Sequence, residues 1–354
     1  MTTYDEVIFQ ELPGQGGQLG WIKLNRPRAL NALNGDMIRA LFAKLTQWAA
    51  ASHIKAVVIT ATEGRAFCAG GDLRTLYEHH QQHDPQVALF FKEEYELNRF
   101  IFHYPKPYIA FLDGITMGGG VGISVHGSHR VATDRLLFAM PETGIGFFPD
   151  VGGTYFLPRL PGKLGFYLGL TGARLNGDDC VAIGIATHKM VPASIPACIS
   201  ALAEKNFSAD ARLSVTEVLQ SFQVPVATNT LLSEQEAINL CFSASTMEEI
   251  LQRLQQSAHP LCQEAAVAIT QKSPTSLKVT LKALQQGALL SMDACIQQEY
   301  QLACTFLAEH DFLEGIRAVI IDKDHNPHWQ PASLEAVTAA IIDPYFASQT
   351  KVDC

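Results

Sequence analysis

The 354 residues carry a net charge of −9, with 47% of them hydrophobic and 17% charged. Such a chain is long and apolar enough for one large domain or two modest ones around a sizeable core, which excludes a disordered protein. Its acidic balance excludes a broad nucleic-acid-binding face but leaves room for a local basic pocket that takes an acidic ligand.

The eight cysteines are scattered without C-x-x-C spacing, a pattern of reduced thiols rather than of a disulfide framework or a zinc site. Residues 1 to 6, Met-Thr-Thr-Tyr-Asp-Glu, show neither the apolar core of a signal peptide nor the arginine-rich amphipathicity of a transit peptide, so the expected compartment is the cytoplasm. No apolar run approaches the ~18 residues of a membrane span.

In chain order, Val7 and Phe9 alternate with polar neighbours and are followed, after a turn at Pro13–Gly17, by the apolar run Leu19 to Leu24. This predicts an opening hairpin. Gly14 and Gly16 precede a strand and lack a third glycine, so they are not a dinucleotide fingerprint. Asn34 is a predicted N-cap, and Met37, Leu41, Leu45 and Trp48 form one apolar stripe on the helix that follows.

A second strand, Ala56 to Ala61, leads through Arg65-Ala66-Phe67-Cys68-Ala69-Gly70-Gly71-Asp72-Leu73 into a further helix. Residues 86 to 104 have helical spacing at Val87, Phe90, Phe91, Tyr95, Leu97 and Phe100, with Glu93, Glu94 and Glu96 forming an ordinary solvated face. A third strand at Pro107–Asp113 precedes Gly118-Gly119-Gly120 and a short buried helix over Val121 to Gly127. Strand, turn and helix thus recur three times, implying a repeated unit in an α/β fold.

Glycine at a helix start lets a ligand approach unpaired backbone N–H groups. A single glycine triplet is explained equally well by close helix-on-strand packing. Two such turns, each after a strand and each opening a helix, instead suit a pair of N–H groups aimed at one carbonyl oxygen.

Further on, Glu142 follows Met140-Pro141, and Asp150 lies across the loop Gly144-Ile145-Gly146-Phe147-Phe148-Pro149. Two carboxylates in aromatic, glycine-rich surroundings should titrate apart, one acid-like and one base-like. Capping of local turns accounts for both acids as readily on spacing alone. Gly122-Ile123-Ser124-Val125-His126 lacks the second glycine of a G-x-S-x-G elbow, and a serine inside a buried helix bonds a backbone carbonyl more often than it attacks a substrate. Cys68 reads as a small buried side chain. No metal-ligand or nucleoside-triphosphate motif occurs.

After Pro192 the pattern becomes helical, with expected helices at 197–204, 234–242, 247–256, 261–271, 276–285 and 292–307. The domains expected are therefore 1–192 and 193–354.

The pair A-F-C-A-G-G-D-L and G-I-T-M-G-G-G-V-G, followed by M-P-E-T-G-I-G-F-F-P-D-V-G-G and L-T-G-A-R-L, resembles the crotonase (enoyl-CoA hydratase/isomerase) superfamily. The resemblance runs from Leu24-Asn25-Arg26-Pro27 to Glu314-Gly315-Ile316-Arg317-Ala318. It implies a crotonase-like repeated ββα superhelix followed by an all-helical C-terminal region that covers the active site and mediates self-association into a homo-oligomer.

It also implies an acyl-CoA partner, no cofactor beyond the CoA of the substrate, no metal, no membrane and no nucleic acid. The oxyanion hole would be the backbone N–H groups of Gly71 and Gly119, with Ala69, Asp72 and Arg28 as substrate contacts and Arg28 meeting a phosphate of CoA. Within the superfamily, Gly122 and P-E-T-G-I-G-F-F-P-D-V-G-G match a branch of thioester hydrolases. Hydratases carry a second glutamate where this chain has Gly122, and glycine where it has Asp150.

That branch implies cleavage of a short 3-hydroxyacyl-CoA such as 3-hydroxyisobutyryl-CoA, a step of valine breakdown. Glu142 would be nucleophile or general base, Asp150 its partner, and Glu94 a contact for the acyl end. An enoyl-CoA isomerase or hydratase is the alternative within the superfamily. A non-catalytic CoA-binding scaffold is the alternative outside enzymology.

Overall fold

The computed structural model describes residues 6–14, 16–207, 210–228 and 230–347. The chain divides into two compact units that interleave along the sequence: residues 1–71, 96–138 and 175–230 form the first, and 72–95, 139–174 and 231–354 the second. The expected boundary at residue 192 falls inside the first unit.

The first unit is built on nine strands: β1 (Val7–Gly14), β2 (Gly17–Leu24), β3 (Ile54–Ala61), β4 (Ala66–Cys68), β5 (Tyr108–Leu112), β6 (Ile115–Met117), β7 (His129–Ala132), β8 (Leu137–Ala139) and β9 (His188–Lys189). Six of them form one sheet in the order β1-β2-β3-β5-β7-β9, and β4-β6-β8 form a second. The β1–β2 hairpin is antiparallel and closes with Gly14 opposite Gly17, as the alternation and glycines predict.

From β2 onward the large sheet is parallel, with Ile22 opposite Ile59 and Val58 opposite Ile109. Parallel strands are covered on both faces and so tolerate continuous apolar runs. That is what β5, buried at all five residues, shows.

The helix Gly35–Ala50 starts as expected, with Asn34 Oδ1 accepting from the Met37 N–H at 2.9 Å. Met37, Leu41, Leu45 and Trp48 are buried along it, joined by Ile38. Leu19, Val58, Ile109 and Phe111 of the sheet pack with Cys198 and Leu202 of the helix Ile195–Glu204 and with Val215 and Leu219 of the helix Ala211–Ser221. This last helix was not expected from the sequence. Its apolar positions are few and interrupted by Ser214 and Thr216, and its start is marked by Asp210, which caps the Leu213 N–H at 3.0 Å.

The second unit is mainly helical. Helices at Gln235–Phe242, Met247–Gln256, Pro260–Thr270, Pro274–Gly287 and Met292–Ala308 match the expected ones within two residues at each end. His310–Ile316, its continuation Arg317–Ile321, and Ala339–Phe346 are additional. Leu73–Gln81 and the first half of Gln86–Phe102 also belong here.

Among the described residues no helix is long and apolar enough to cross a membrane. Cys68, Cys180, Cys198, Cys241, Cys262 and Cys295 are buried free thiols.

Candidate active site

Within the first unit the two glycine turns meet. Gly70 (φ +118°) and Gly118 (φ +46°) both adopt conformations that favour glycine. A side chain on Gly70 would lie 3.6 Å from the Met117 carbonyl and 4.0 Å from the Gly119 nitrogen, so one turn rests directly on the other. A Cβ on Gly120 would come within 2.2 Å of the Cys68 carbonyl. The packing explanation and the ligand explanation for these glycines therefore both hold, at different positions of the same triplet.

Gly119 opens the one-turn helix Gly119–Gly122, and the first amides of a helix have no acceptor within it. Gly71 forms a parallel bridge with Leu33 in which the Leu33 N–H donates to the Gly70 carbonyl at 2.8 Å, a pattern that does not engage the Gly71 N–H. The loop before the first helix holds this turn in place. Ala69 N–H donates to the Leu30 carbonyl at 3.0 Å, and the fully buried Asn31 donates to the Ala66 carbonyl at 3.0 Å while accepting from the Arg26 N–H at 2.7 Å.

Ser124 is buried, and its hydroxyl donates to the Gly120 carbonyl at 2.7 Å. The structural role expected for it is the one it has.

The carboxylates lie in the second unit. Glu142 begins the 3-10 turn Glu142–Ile145 and is 5% exposed, Asp150 is 6% exposed and Glu94 2% exposed. Burial, then the Asp150 charge, pushes both Glu142 and Glu94 well above the usual carboxylate range. Burial also raises Asp150, but only to about 7, because a hydrogen bond from Tyr95 and one from the backbone stabilise its charged form. The Tyr95 hydroxyl donates to Asp150 Oδ2 at 2.7 Å.

Acids this close cannot all ionise at neutral pH. The three acids therefore titrate as a coupled group, each pushed upward by burial, with the Tyr95 hydrogen bond favouring charge on Asp150. Glu94 Oε1 and Glu142 Oε2 are buried and have no hydrogen-bond partner among the described residues. Groups left in that condition mark functional sites more often than well-packed cores.

Aromatic rings complete these surroundings. Phe147 stacks on Phe312 at 4.3 Å and also touches Phe91 and Phe148, and Phe148 stacks on Phe306.

An enoyl-CoA hydratase/isomerase family model matches residues 19–346. The chain belongs to the enoyl-CoA hydratase/isomerase family.

Two of the relatives it resembles are the mitochondrial 3-hydroxyisobutyryl-CoA hydrolases of Danio rerio, 44% identical with 98% of this chain and 91% of that protein covered, and of Rattus norvegicus, 46% identical with 94% and 87% covered. Among solved structures, a carnitinyl-CoA dehydratase from Mycobacterium thermoresistibile superposes with a TM-score of 0.89 at 37% identity, covering 98% of this chain and 97% of that one. An enoyl-CoA hydratase from Rhodobacter sphaeroides 2.4.1 does so with a TM-score of 0.85 at 35% identity, covering 97% of each chain.

As a family member the chain divides its expected site residues between its two units. Gly71, Gly119, Ala69 and Arg28 are in the first; Glu142, Asp150, Glu94 and Asp72 are in the second. Asp72 is occupied as a helix cap, its Oδ1 accepting from the Thr75 N–H at 3.2 Å. Arg28 is exposed on the turn Pro27–Ala29. Glu94 is not on a solvated face; it is the one acid of the Glu93-Glu94-Glu96 group that is buried.

Two residues beside the acids escaped sequence reasoning in their present roles. Tyr95 was one of several apolar-stripe residues, and nothing distinguished its hydroxyl. Glu299 was legible in principle. It sits on the buried stripe Met292, Cys295, Ile296, Glu299, Leu302, Ala303, Phe306, and a lone acid at a core position of an apolar helix signals a buried partner set.

Proposed function

We propose that this protein hydrolyses the thioester of 3-hydroxyisobutyryl-CoA, releasing 3-hydroxyisobutyrate and CoA in a step of valine breakdown. The observation that carries this reading is the buried, coupled Glu142–Asp150–Glu94 cluster. Position 122, the place of the second hydratase glutamate in the resemblance, is a glycine inside a buried one-turn helix. The hydrolases named above, at 44–46% identity, support the substrate.

In this reading the N–H groups of Gly71 and Gly119 hold the thioester oxygen, where one such donor contributes roughly 3 kcal/mol to transition-state stabilisation. Glu142 passes its proton to Asp150, attacks the carbonyl carbon and displaces sulfur. The thiolate takes the proton from Asp150, and water then cleaves the resulting anhydride to acid and free Glu142. In the variant route Glu142 deprotonates a water that attacks directly. Asp150 orients Glu142 or the water and binds the substrate hydroxyl, and Glu94, pushed well above the usual carboxylate range by burial, contacts the acyl end.

Arg28 is assigned to a phosphate of CoA and Ala69 to a further contact with the substrate. We assign no substrate role to Asp72 beyond its cap. For the compartment we keep the cytoplasm, although the relatives are named as mitochondrial, and a C-terminal fluorescent fusion separates the two. Self-association is a proposal of the same standing, tested by light scattering.

The test is thiol release from 3-hydroxyisobutyryl-CoA by the purified chain, beside Glu142→Gln and Asp150→Asn. Release by wild type that is lost in both variants is expected. Hydration or double-bond migration of an enoyl-CoA without thiol release sinks the reading in favour of the hydratase alternative, which the named structural neighbours represent.

A further inference from the structure

Directly after Asp150 the backbone turns through two consecutive left-handed residues, Val151 (φ +52°) and Gly152 (φ +83°). A β-branched residue rarely adopts that conformation, and it persists only where the surroundings enforce it. Part of the enforcement is local, the Gly153 N–H donating to the Asp150 carbonyl at 2.7 Å. The rest comes from Glu299, 147 residues further along the chain.

Glu299 is fully buried on the helix Met292–Ala308. Its Oε2 accepts from the Gly152 N–H at 2.7 Å, and its Oε1 accepts from the Thr154 N–H at 2.9 Å and the Thr154 hydroxyl at 2.5 Å. Three donors thus converge on the two oxygens of one carboxyl group, a set that an amide cannot satisfy. A glutamine would turn its NH2 toward one of the backbone donors. Burial pushes Glu299 up to about 8, with the hydrogen bonds from Thr154 and Gly152 opposing it. All three hydrogen bonds found for this buried acid among the described residues go to the turn next to another acid.

We propose that Glu299 is the positioning residue for Asp150: by clamping the Gly152 and Thr154 amides it fixes the strained turn that aims the Asp150 carboxylate at Tyr95 and the Glu142 side. Asp150 is thereby gripped from two directions. Tyr95 holds its side chain, and Glu299 holds its backbone. The role in hydrolysis rests on the function proposed above, whereas the clamp itself does not.

The test combines two measurements on the full chain. Amide hydrogen exchange across residues 150–156 reads the clamp without any substrate, and steady-state thiol release reads its effect on the reaction. In Glu299→Gln we expect exchange at Gly152 and Thr154 to accelerate, and kcat to fall about tenfold with KM within about threefold of wild type. In Glu299→Ala the kcat loss should reach about 100-fold, the scale of a displaced catalytic group. Thr154→Val removes one of the three donors and should give a smaller loss of about threefold; it and Glu299→Gln carry the test should the alanine variant fail to fold.

Leu254→Ala, a buried substitution elsewhere in the same unit, supplies a comparator matched in Tm whose kcat should stay within about twofold of wild type. Unchanged exchange in Glu299→Gln overturns the clamp. Faster exchange with wild-type kcat, or an equal kcat loss in Leu254→Ala, overturns the positioning role. Absence of thiol release by wild type overturns the hydrolase reading and leaves the clamp to be judged by exchange alone.

Discussion

Tyr95 donates its phenolic proton to Asp150 at 2.7 Å, with Asp150 and the Tyr95 ring both buried. This bond favours the ionised form of Asp150 against its burial. A donor to a carboxylate favours its ionised form, and neither Glu94 nor Glu142 has a side-chain donor that offsets its burial. Tyr95→Phe should therefore raise the Asp150 pKa and move the ascending limb of the activity profile to higher pH by about one unit, with kcat at pH 7 lowered several-fold. A pH–rate profile superimposable on that of wild type would show that Tyr95 is a packing residue only.

The charge state also fixes the direction of the wild-type profile. Hydrolysis requires the cluster to hold a negative charge, and Asp150 loses its proton at about 7. The value of kcat/KM should rise with pH through the neutral range. Glu142→Gln should lower kcat by at least about 10³-fold, because it removes the attacking oxygen or the base; Asp150→Asn should do the same and abolish the ascending limb. An ascending limb retained in Asp150→Asn assigns the titration to another group.

Stability should run the other way. A carboxyl whose pKa is raised on folding binds its proton more tightly in the folded state, so its favourable contribution is full below about pH 4 and is lost as pH rises through about 7. Asp150→Asn removes that loss. The variant should gain a few degrees in Tm over wild type at pH 8 and little or nothing at pH 5, as read by calorimetry at the two pH values. An equal Tm difference at both would mean that the Asp150 pKa is not raised by the fold.

The sequence made much of this site legible because its signals are local. Glycines at 70, 118 and 120 mark turns that need φ > 0 or a near backbone approach, and the paired strand–turn–helix motifs announced that there were two. The helix Gly35–Ala50 was marked by its cap and apolar stripe, and five helices of the second unit by helical segments after Pro192. What was not legible depends on distant pairing. The interleaved units place 72–95 and 139–174 with the late helices, and no composition change marks those cuts. Burial of Glu94 but not Glu96, and the grip of Glu299 on Gly152, are properties of packing between segments far apart in the chain.

Ser124 and Gly120 separate structure from chemistry in the first unit. Since the Ser124 hydroxyl serves only the Gly120 and Val121 carbonyls at 2.7 and 3.1 Å, Ser124→Ala should keep thiol release within about twofold of wild type and cost about 1 kcal/mol in stability. Gly120→Ala places a methyl 2.2 Å from the Cys68 carbonyl, where relief requires the backbone to move. It should cost about 3 kcal/mol or more and yield little folded protein, as judged by soluble expression and circular dichroism. Abolished activity in a folded Ser124→Ala protein would revive a serine nucleophile.

Glu142 has one buried oxygen without a hydrogen-bond partner among the described residues, and in the direct route it attacks the thioester carbon itself and forms an anhydride. An anhydride formed in this way is open to hydroxylamine, which would convert Glu142 into a hydroxamate during turnover. Peptide mass spectrometry after turnover with hydroxylamine should therefore find the modification on the Glu142 peptide in wild type, and not in Asp150→Asn or without substrate. A hydroxamate only on the released acyl group arises from the thioester itself and says nothing. An unmodified Glu142 at full turnover establishes water as the attacking group and leaves Glu142 as its base.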